Sequence, residues 1–341
     1  MYRLTGQHAV ALRSTIKREF WPLCVKCNSV LKANIETFEG RKPISSSSYC
    51  MDLVKRRDYD HYLTSLLLPD KIRRMGFALR ALNIEISSIR DNVSEATTGK
   101  MRVQFWKDTI DNFYNKKNSS NGQEKITIPN HPVAIELHKC LINHPNVSRE
   151  LLDRLINSRE VFLTNHQQPF QSMEDVDKYS EYSFSSINSI LLESLLDPKK
   201  ESELNGHAKH CANQLGKAEG IMTILRALPY NSSQRRVYLP LSLLMSHKIS
   251  SESIIRGSNN EEFRHVIEVI AAVAEDHLTN CRFRKKYLSV EEKLIMLTAV
   301  LVDGYLSRLH KAQCNTFDKD LHRKDPWLPF TLYVHKWKKS Y

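Results

Sequence analysis

The sequence has little of the two residues that interrupt helices, with 10 Gly and 12 Pro among 341 residues. Both residues disfavour helix interiors, so their scarcity, together with 41% apolar residues, favours long helices over many short strands. Long apolar runs are missing as well, because the longest one, Leu294–Val302, falls far short of the roughly 20 residues that cross a bilayer. The composition therefore predicts a helical globular body without a membrane-spanning helix.

Cysteine is present, but without the pattern of a disulfide framework or a metal site. The seven Cys residues are odd in number and scattered, which is typical of free thiols in a reducing compartment. Cys24 and Cys27 have zinc-knuckle spacing, but no second Cys/His pair follows them. His207 and His210 precede Cys211 on a predicted helix, where a third ligand at useful spacing is missing, so we interpret this face as solvated. We predict no metal site and no cofactor.

Acidic residues are missing from the start of the chain, where the first one is Glu19. The basic residues before it are Arg3, Arg13, Lys17 and Arg18. This bias is typical of a mitochondrial targeting segment, and the alternative is a basic disordered tail. We predict a targeting segment and linker over residues 1–48, with Ser45–Ser48 as a flexible junction, followed by one helical domain over residues 49–341.

The formal net charge of +12 suits nucleic acid, anionic lipid or acidic protein partners, and it is also common among proteins of the mitochondrial matrix. No interleaved aromatic platform accompanies the charge, so we predict no nucleic-acid binding. Near the end of the chain, Trp337, Lys338 and Lys339 have the composition of a contact with lipid headgroups or of a plain exposed end.

Apolar residues recur at helical spacing along the body, and no strand-period segment competes with them. Regular stripes cover residues 75–89, 208–225 and 263–278. Gly216 and Gly220 lie inside such a stripe without a phosphate-loop pattern, which indicates close helix packing. The predicted helices span 52–68, 70–89, 97–114, 131–143, 149–163, 172–196, 207–228, 260–285, 289–311 and 328–338, with a surface loop over 116–130.

Five local patterns occur in a fixed order on these helices. They are Tyr62-Leu63 with Leu67-Leu68-Pro69, the stretch FALRALN at 77–83, Arg102 with Phe105-Trp106-Lys107, Gly216 with Leu225-Arg226, and RVYLP at 236–240. Together they resemble the squalene/phytoene synthase family over roughly residues 50–335. The resemblance implies an all-α, isoprenoid-synthase-like helical bundle with a central cavity for a prenyl chain.

Active members of that family use two acidic motifs on facing helices to hold Mg²⁺, which grips the substrate diphosphates. In this sequence the first motif falls on Ser87 and Asp91, or on Asp91 and Glu95 in a register shifted by one turn. Counting from Arg226, the second motif places its Asn on Thr223. Its three acidic positions fall on Ala227, Tyr230 and Asn231, and Pro229 is expected to interrupt the helix. The resemblance therefore implies a family member with no catalytic residues left.

A closer similarity, in stretches such as KRRDY at 55–59 and GKAEGI at 216–221, is to a mitochondrial branch of the family that assists assembly of respiratory complex I. It implies a non-catalytic role on the matrix side of the inner membrane, complex I subunits or assembly intermediates as partners, and peripheral contact with that membrane. The alternative is an active isoprenyl diphosphate synthase with an altered metal site around Asp91, Glu95, Arg226, Arg235 and Arg236.

The arginines beside the second motif, Arg226, Arg235 and Arg236, have two interpretations. They pair with acids such as Asp91 and Glu95 across the bundle, or Arg235 and Arg236 present a basic mouth to an anion or a partner.

Overall fold

The computed structural model describes residues 45–93, 95–115, 128–165, 168–197 and 205–341. All regular structure in these ranges is helical, which confirms the predicted fold class. The α-helices, in chain order, are α1 (Ser46–Arg57), α2 (Tyr59–Leu66), α3 (Asp70–Ser88), α4 (Ala96–Asn115), α5 (Pro132–Asn143), α6 (Arg149–Asn157), α7 (Val161–Thr164), α8 (Met173–Ser180), α9 (Ser186–Glu193), α10 (Gly206–Ser233), α11 (Leu241–Ser246), α12 (Ser251–Ile255), α13 (Glu261–Phe283), α14 (Val290–Ile295), α15 (Ala299–Lys311) and α16 (Leu328–Trp337).

Two predicted helix starts are confirmed by their capping hydrogen bonds. The Ser172 hydroxyl accepts from the backbone N–H of Asp175, whose carboxylate accepts from the N–H of Ser172. Ser289 and Glu292 form the same reciprocal pair at the start of α14. Each of these reciprocal pairs is a capping box, which satisfies backbone N–H groups that the start of a helix otherwise leaves unpaired. A serine followed three residues later by an acidic residue therefore locates these helix starts well.

The expected junction at Ser45–Ser48 is wrong. Ser45 caps α1, its hydroxyl accepting from the backbone N–H of Ser48, and Ser46–Ser48 form the first helical turn. A serine run favours a helix start as readily as a linker, since the hydroxyl satisfies a free backbone N–H. Residues 1–44 of the targeting segment and linker predicted over 1–48 lie outside the described residues, as does most of the predicted loop at 116–130.

Several predicted helices are divided. The first is broken at Asp58, which separates α1 from α2. The helix predicted over 172–196 contains a π-helical segment, Glu181–Ser185, between α8 and α9. The helix predicted over 289–311 contains a 3₁₀ turn, Met296–Thr298, between α14 and α15. Such local changes of helical pitch depend on packing and leave the apolar spacing almost unaltered, so the sequence does not reveal them.

The interruption expected at Pro229 is also wrong, because α10 continues through it to Ser233. A proline removes its own N–H and displaces the carbonyl four residues before it. The turns on both sides of Pro229 are held by burial, with Leu228 0% exposed and Ser232 4% exposed. The Ser232 hydroxyl also donates to the Leu228 carbonyl at 2.8 Å.

Helix α10 lies at the centre of the bundle, packed against α13, α8, α9 and the π-helical segment. A Cβ added at Gly216 would stand 2.3 Å from the backbone N of Ser185, and one at Gly220 would stand 2.1 Å from the Ser180 hydroxyl. Both glycines therefore allow close helix contact, as predicted. In the ranges the structure covers, each helix is too short or too polar to cross a bilayer.

Candidate functional site

The first acidic motif lies where α3 ends. Ser87 is exposed and its hydroxyl donates to the Ile84 carbonyl at 3.0 Å. After Ser88 the chain tightens into a 3₁₀ turn, Ile89–Asp91. In neither register do both residues lie on one continuous α-helix, and the assignment of the first motif to these residues stays a prediction. Four-residue spacing places side chains on one face only along a continuous α-helix, and Glu95 stands beyond the turn as an exposed residue.

The residues predicted to occupy the second motif lie along the C-terminal half of α10, and none of them carries a carboxylate. The Thr223 hydroxyl donates to the backbone carbonyl of Glu219 at 2.8 Å. Ala227 is partly buried, Tyr230 is 36% exposed and Asn231 is buried. The Asn231 carbonyl accepts from the backbone N–H of Arg236 at 2.9 Å, which turns the chain back after the helix.

Each of the three arginines around this motif forms an ion pair with a carboxylate. The structure therefore agrees with the interpretation that they pair with acids, and not with an unpaired basic surface. Arg226 pairs across the bundle with Asp60 of α2 at 3.1 Å. Arg235, in the left-handed backbone region at φ 57°, pairs with Glu252 at 2.8 Å on the surface. Arg236 pairs with Asp91 at 2.6 Å and is the most buried of the three, with 13% of its side chain exposed.

Burial alone would lower the pKa of Arg236, but the hydrogen bond to Asp91 raises it above its ordinary value. The guanidinium of Arg236 therefore stays charged and is paired with Asp91, the carboxylate that was predicted to belong to the first metal-binding motif. Mg²⁺ binds oxygen ligands, and the resemblance to the family implies that carboxylates from two facing helices would supply them. With Asp91 neutralised by Arg236, and Ala227 and Asn231 in place of acids, these residues do not fit the Mg²⁺ site of the family.

The structure also contains a buried charged cluster that sequence reasoning missed. Glu219 of α10 is 0% exposed, and its Oε2 lies 3.6 Å from Arg80 Nη2 of α3 and 3.7 Å from His61 Nε2 of α2. His61 Nδ1 in turn contacts Asp58 Oδ1 at 2.8 Å. The Thr298 hydroxyl donates to Glu219 Oε1. We call Asp58, His61, Arg80 and Glu219 the buried charge cluster.

The cluster keeps its charges despite burial. Burial raises the pKa of Asp58 and Glu219, but contact with His61 and Arg80 outweighs it and lowers both values. Burial and Arg80 lower the pKa of His61, yet contact with Asp58 and Glu219 raises it above its ordinary value. Within the described residues, Arg80 Nη1 and Glu219 Oε2 have no hydrogen-bond partner, so the cluster depends on charge pairing to offset its desolvation.

The buried charge cluster lies between helices that carry two of the apolar stripes. Arg80 and Glu219 fall within the ranges 75–89 and 208–225 and form an ion pair between α3 and α10. Farther along α3, a cleft beside Ser87 is lined by Arg90, Arg159, Phe162 and neighbouring apolar residues. Its volume of about 10 Å³ holds about one water molecule rather than a prenyl chain. A cavity able to hold a prenyl chain stays a prediction.

The histidine–cysteine pattern on α10 does not converge on one point. His207 stacks on Tyr287 with ring centroids 4.2 Å apart, whereas the Cys211 thiol faces inward and contacts the Cys281 carbonyl at 3.2 Å. No group of three potential metal ligands occurs in the described parts of the chain. Cys24 and Cys27 lie outside them.

Comparison with known sequences finds a match to the squalene/phytoene synthase family model over residues 54–329. Among relatives, NADH dehydrogenase (ubiquinone) complex I, assembly factor 6, of Bos taurus is 38% identical over 293 residues, covering 86% of this chain and 82% of that protein. Its homolog in Drosophila melanogaster is 34% identical over 305 residues, covering 89% of this chain and 86% of that protein.

Solved structures share the fold at low sequence identity. A dehydrosqualene synthase crystallised with a ligand superposes with a TM-score of 0.70 at 18% identity, covering 87% of this chain and 97% of that one. A squalene synthase from Alicyclobacillus acidocaldarius gives a TM-score of 0.64 at 13% identity, covering 80% and 95% of the two chains.

Proposed function

Because the chain belongs to the squalene/phytoene synthase family but carries no carboxylate at that family's second acidic motif, we propose that it is a non-catalytic assembly factor for mitochondrial respiratory complex I. The observation that carries the proposal is the state of the two motifs. Asp91 is held by Arg236, and Ala227, Tyr230 and Asn231 stand where acids would bind metal.

The relatives support the same role. The bovine and fly proteins are named complex I assembly factor 6 or its homolog, and the matched region covers most of each chain. A shared fold by itself says little about function, since one fold hosts many activities. Identity of 34–38% over nearly the whole domain, combined with the altered motifs, favours the role of these relatives over synthase chemistry.

The same proposal places the protein in mitochondria, on the matrix side of the inner membrane, directed there by a targeting segment within residues 1–48. Its partners would be complex I subunits or assembly intermediates. Helices α2, α3 and α10 are joined by buried charges, so the body would act as a rigid binding platform. N-terminal sequencing of the mitochondrial form tests the targeting step, with a mature start near residue 45 as the expected result.

The experiment that tests the function is depletion of the protein followed by separate quantification of complex I and the other respiratory complexes. We expect complex I alone to fall and to recover when the full chain is restored. Recovery with an Asp91→Asn variant, which removes the carboxylate that the alternative synthase activity would need, would separate assembly from any residual chemistry. A uniform loss of all complexes, or a loss of prenyl products with complex I intact, would contradict the proposal.

A further inference from the structure

Helix α16 has two faces of opposite character. Leu328 and Leu332 face the body and are 9% and 0% exposed. On the other side Phe330, Tyr333 and Trp337 follow at three- and four-residue spacing, so they share one face, and they are 64%, 63% and 77% exposed. Trp327, 71% exposed, extends this face by one more turn. We call these four residues the aromatic face.

The aromatic face belongs to the folded body. Leu328 and Leu332 pack with Val300 and Leu301 of α15, and α16 also contacts α2. Beyond the helix, Tyr341 is buried at 3% exposure and its carbonyl accepts from Lys285 Nζ at 3.0 Å. Helix α16 is thus packed against the body along its inner face, and the segment that follows it is anchored as well. Its four large aromatic side chains are therefore exposed to solvent on a well-packed helix. Exposed apolar clusters of this kind mark interaction surfaces.

The charge around the face is mainly positive. Residues 326–341 contain no Asp or Glu, while Lys336, Lys338 and Lys339 lie among or directly after the aromatic residues. One carboxylate, Asp325, stands at the N-terminal edge of the face, where it accepts a hydrogen bond from the backbone N–H of Trp327 at 2.9 Å. Lys338 and Lys339 are exposed. On the adjoining edge, Lys324 Nζ lies 5.2 Å from the ring centroid of Tyr59, which is itself 36% exposed on α2. The occupant of this surface should therefore be apolar at its centre and negatively charged at its rim.

We propose that the aromatic face is a docking surface for an anionic lipid bilayer. Trp and Tyr rings favour the headgroup level of a membrane, where one edge is apolar and the other is hydrated. Lysines beside them gain energy from anionic headgroups, whereas the cores of protein–protein interfaces are depleted of lysine. The inference deepens the proposed function and rests on it for the choice of the inner membrane, but the lipid contact itself follows from the surface.

The binding test uses the full-length chain and vesicles of phosphatidylcholine alone, with phosphatidylserine, or with cardiolipin. We expect co-sedimentation with both anionic mixtures and little with phosphatidylcholine alone. Equal binding to the two anionic mixtures at matched charge indicates general charge recognition, and stronger binding to cardiolipin indicates its headgroup. The combined variant Phe330→Ser, Tyr333→Ser and Trp337→Ser should lower the affinity at least about tenfold.

Matched controls separate lipid contact from folding and from the basic N-terminal segment. Met101→Ser removes a 73% exposed apolar residue of α4 and should bind vesicles like the unmodified chain. The combined α16 variant should keep its thermal unfolding midpoint, since it removes exposed side chains only. Every chain in the comparison retains the same N-terminal residues, so a difference in affinity reports on α16.

Tryptophan emission gives a local measurement. Anionic vesicles should shift the emission of the chain to the blue, and brominated lipids should quench it. In a Trp327→Phe, Trp337→Phe variant both changes should be largely lost while co-sedimentation remains. The inference is overturned if the combined serine variant binds as tightly as the unmodified chain, if no anionic vesicle is bound, or if that variant instead changes the oligomeric state in light scattering. Complex I quantification in cells reports separately on the proposed function.

Discussion

Arg236 Nη1 lies 2.6 Å from Asp91 Oδ1, and this ion pair joins two segments that are 145 residues apart in the chain. The guanidinium is 13% exposed and the carboxylate is 29% exposed, so the contact is partly shielded from solvent. A protein cation thus stands where active relatives are expected to place a metal. Binding of a divalent ion at Asp91 would first have to break this pair.

The first prediction concerns that pair. Arg236→Gln should lower the free energy of unfolding by about 1–3 kcal/mol, because it leaves a partly buried carboxylate without its partner. Arg235→Gln removes an exposed pair with Glu252 and should lower the free energy of unfolding much less, because solvent screens that pair. Urea denaturation of both variants measures the difference. An Arg236 variant of unchanged stability that fails to restore complex I would instead assign this arginine to partner recognition.

The buried charge cluster gives a second prediction. Glu219→Gln should destabilise the protein by about 3–5 kcal/mol, because Arg80 and His61 lose their shared carboxylate in a region without solvent. The exposed pair of Glu150 with Arg154 is a suitable control, and Glu150→Gln should change stability by less than about 1 kcal/mol. Similar losses in the two variants would show that the cluster contributes no more than a surface pair.

The same cluster predicts how stability depends on pH. Asp58 and Glu219 have lowered pKa values, so their contribution is complete above the ordinary values of 3.8 and 4.5 and is lost as the pH falls through the lower folded values. His61 has a raised pKa, so its contribution is complete below 6.5 and is lost as the pH rises through the higher folded value. The cluster should therefore stabilise most between 4.5 and 6.5.

Free energies of unfolding measured from below pH 4.5 to well above pH 6.5, for the unmodified chain and for His61→Gln, test the assignment. The decline above pH 6.5 should become shallower in the variant, because the imidazole no longer releases its proton. An identical slope in both chains would assign the pH dependence to other histidines.

Helix packing at Gly216 gives a fourth prediction. Gly216→Ala should destabilise by about 1–3 kcal/mol or more, since its Cβ would stand 2.3 Å from backbone of the π-helical segment. Gly304, within α15, has no atom within 4 Å of an added Cβ, so Gly304→Ala should be neutral or slightly stabilising. Thermal unfolding of the two variants is the measurement, and equal midpoints would show that the helices separate without cost.

The fifth prediction addresses catalysis. Purified protein should show no turnover of farnesyl or geranylgeranyl diphosphate with Mg²⁺, because the second motif supplies no carboxylate to anchor the ion. Product analysis after long incubation measures this directly. Turnover that disappears in Asp91→Ala would establish the alternative function, an isoprenyl diphosphate synthase with an altered metal site.

The sequence predicted the helical class, most helix positions and the helix starts at Ser172 and Ser289, because apolar spacing and end-capping are local signals. It also indicated the family through motifs in fixed order. It was wrong at Pro229, where burial of the neighbouring turns keeps the helix continuous although proline usually interrupts one. It was also wrong at Ser45–Ser48, where the Ser45 hydroxyl caps a helix in a serine run that was predicted to be flexible.

The buried charge cluster was not predictable in the same way. Arg80 and Glu219 are charged residues among apolar neighbours in the ranges 75–89 and 208–225, which also contain Glu85, Lys209 and Lys217. Charged residues on amphipathic helices usually face solvent. The pairing of Arg80 with Glu219 depends on three helices meeting at one point, which no local pattern encodes.

Two ion pairs, Arg80 with Glu219 and Asp91 with Arg236, constrain the order in which the parts of the chain fold. A ribosome or a translocation channel releases the chain from its N-terminal side, so α3 emerges long before α10. Until then Arg80 has no carboxylate from α10 to meet, and closing the first half alone would bury it at a cost. Emergence from the N-terminal side therefore favours a delayed, cooperative collapse in which α3 and α10 become buried together.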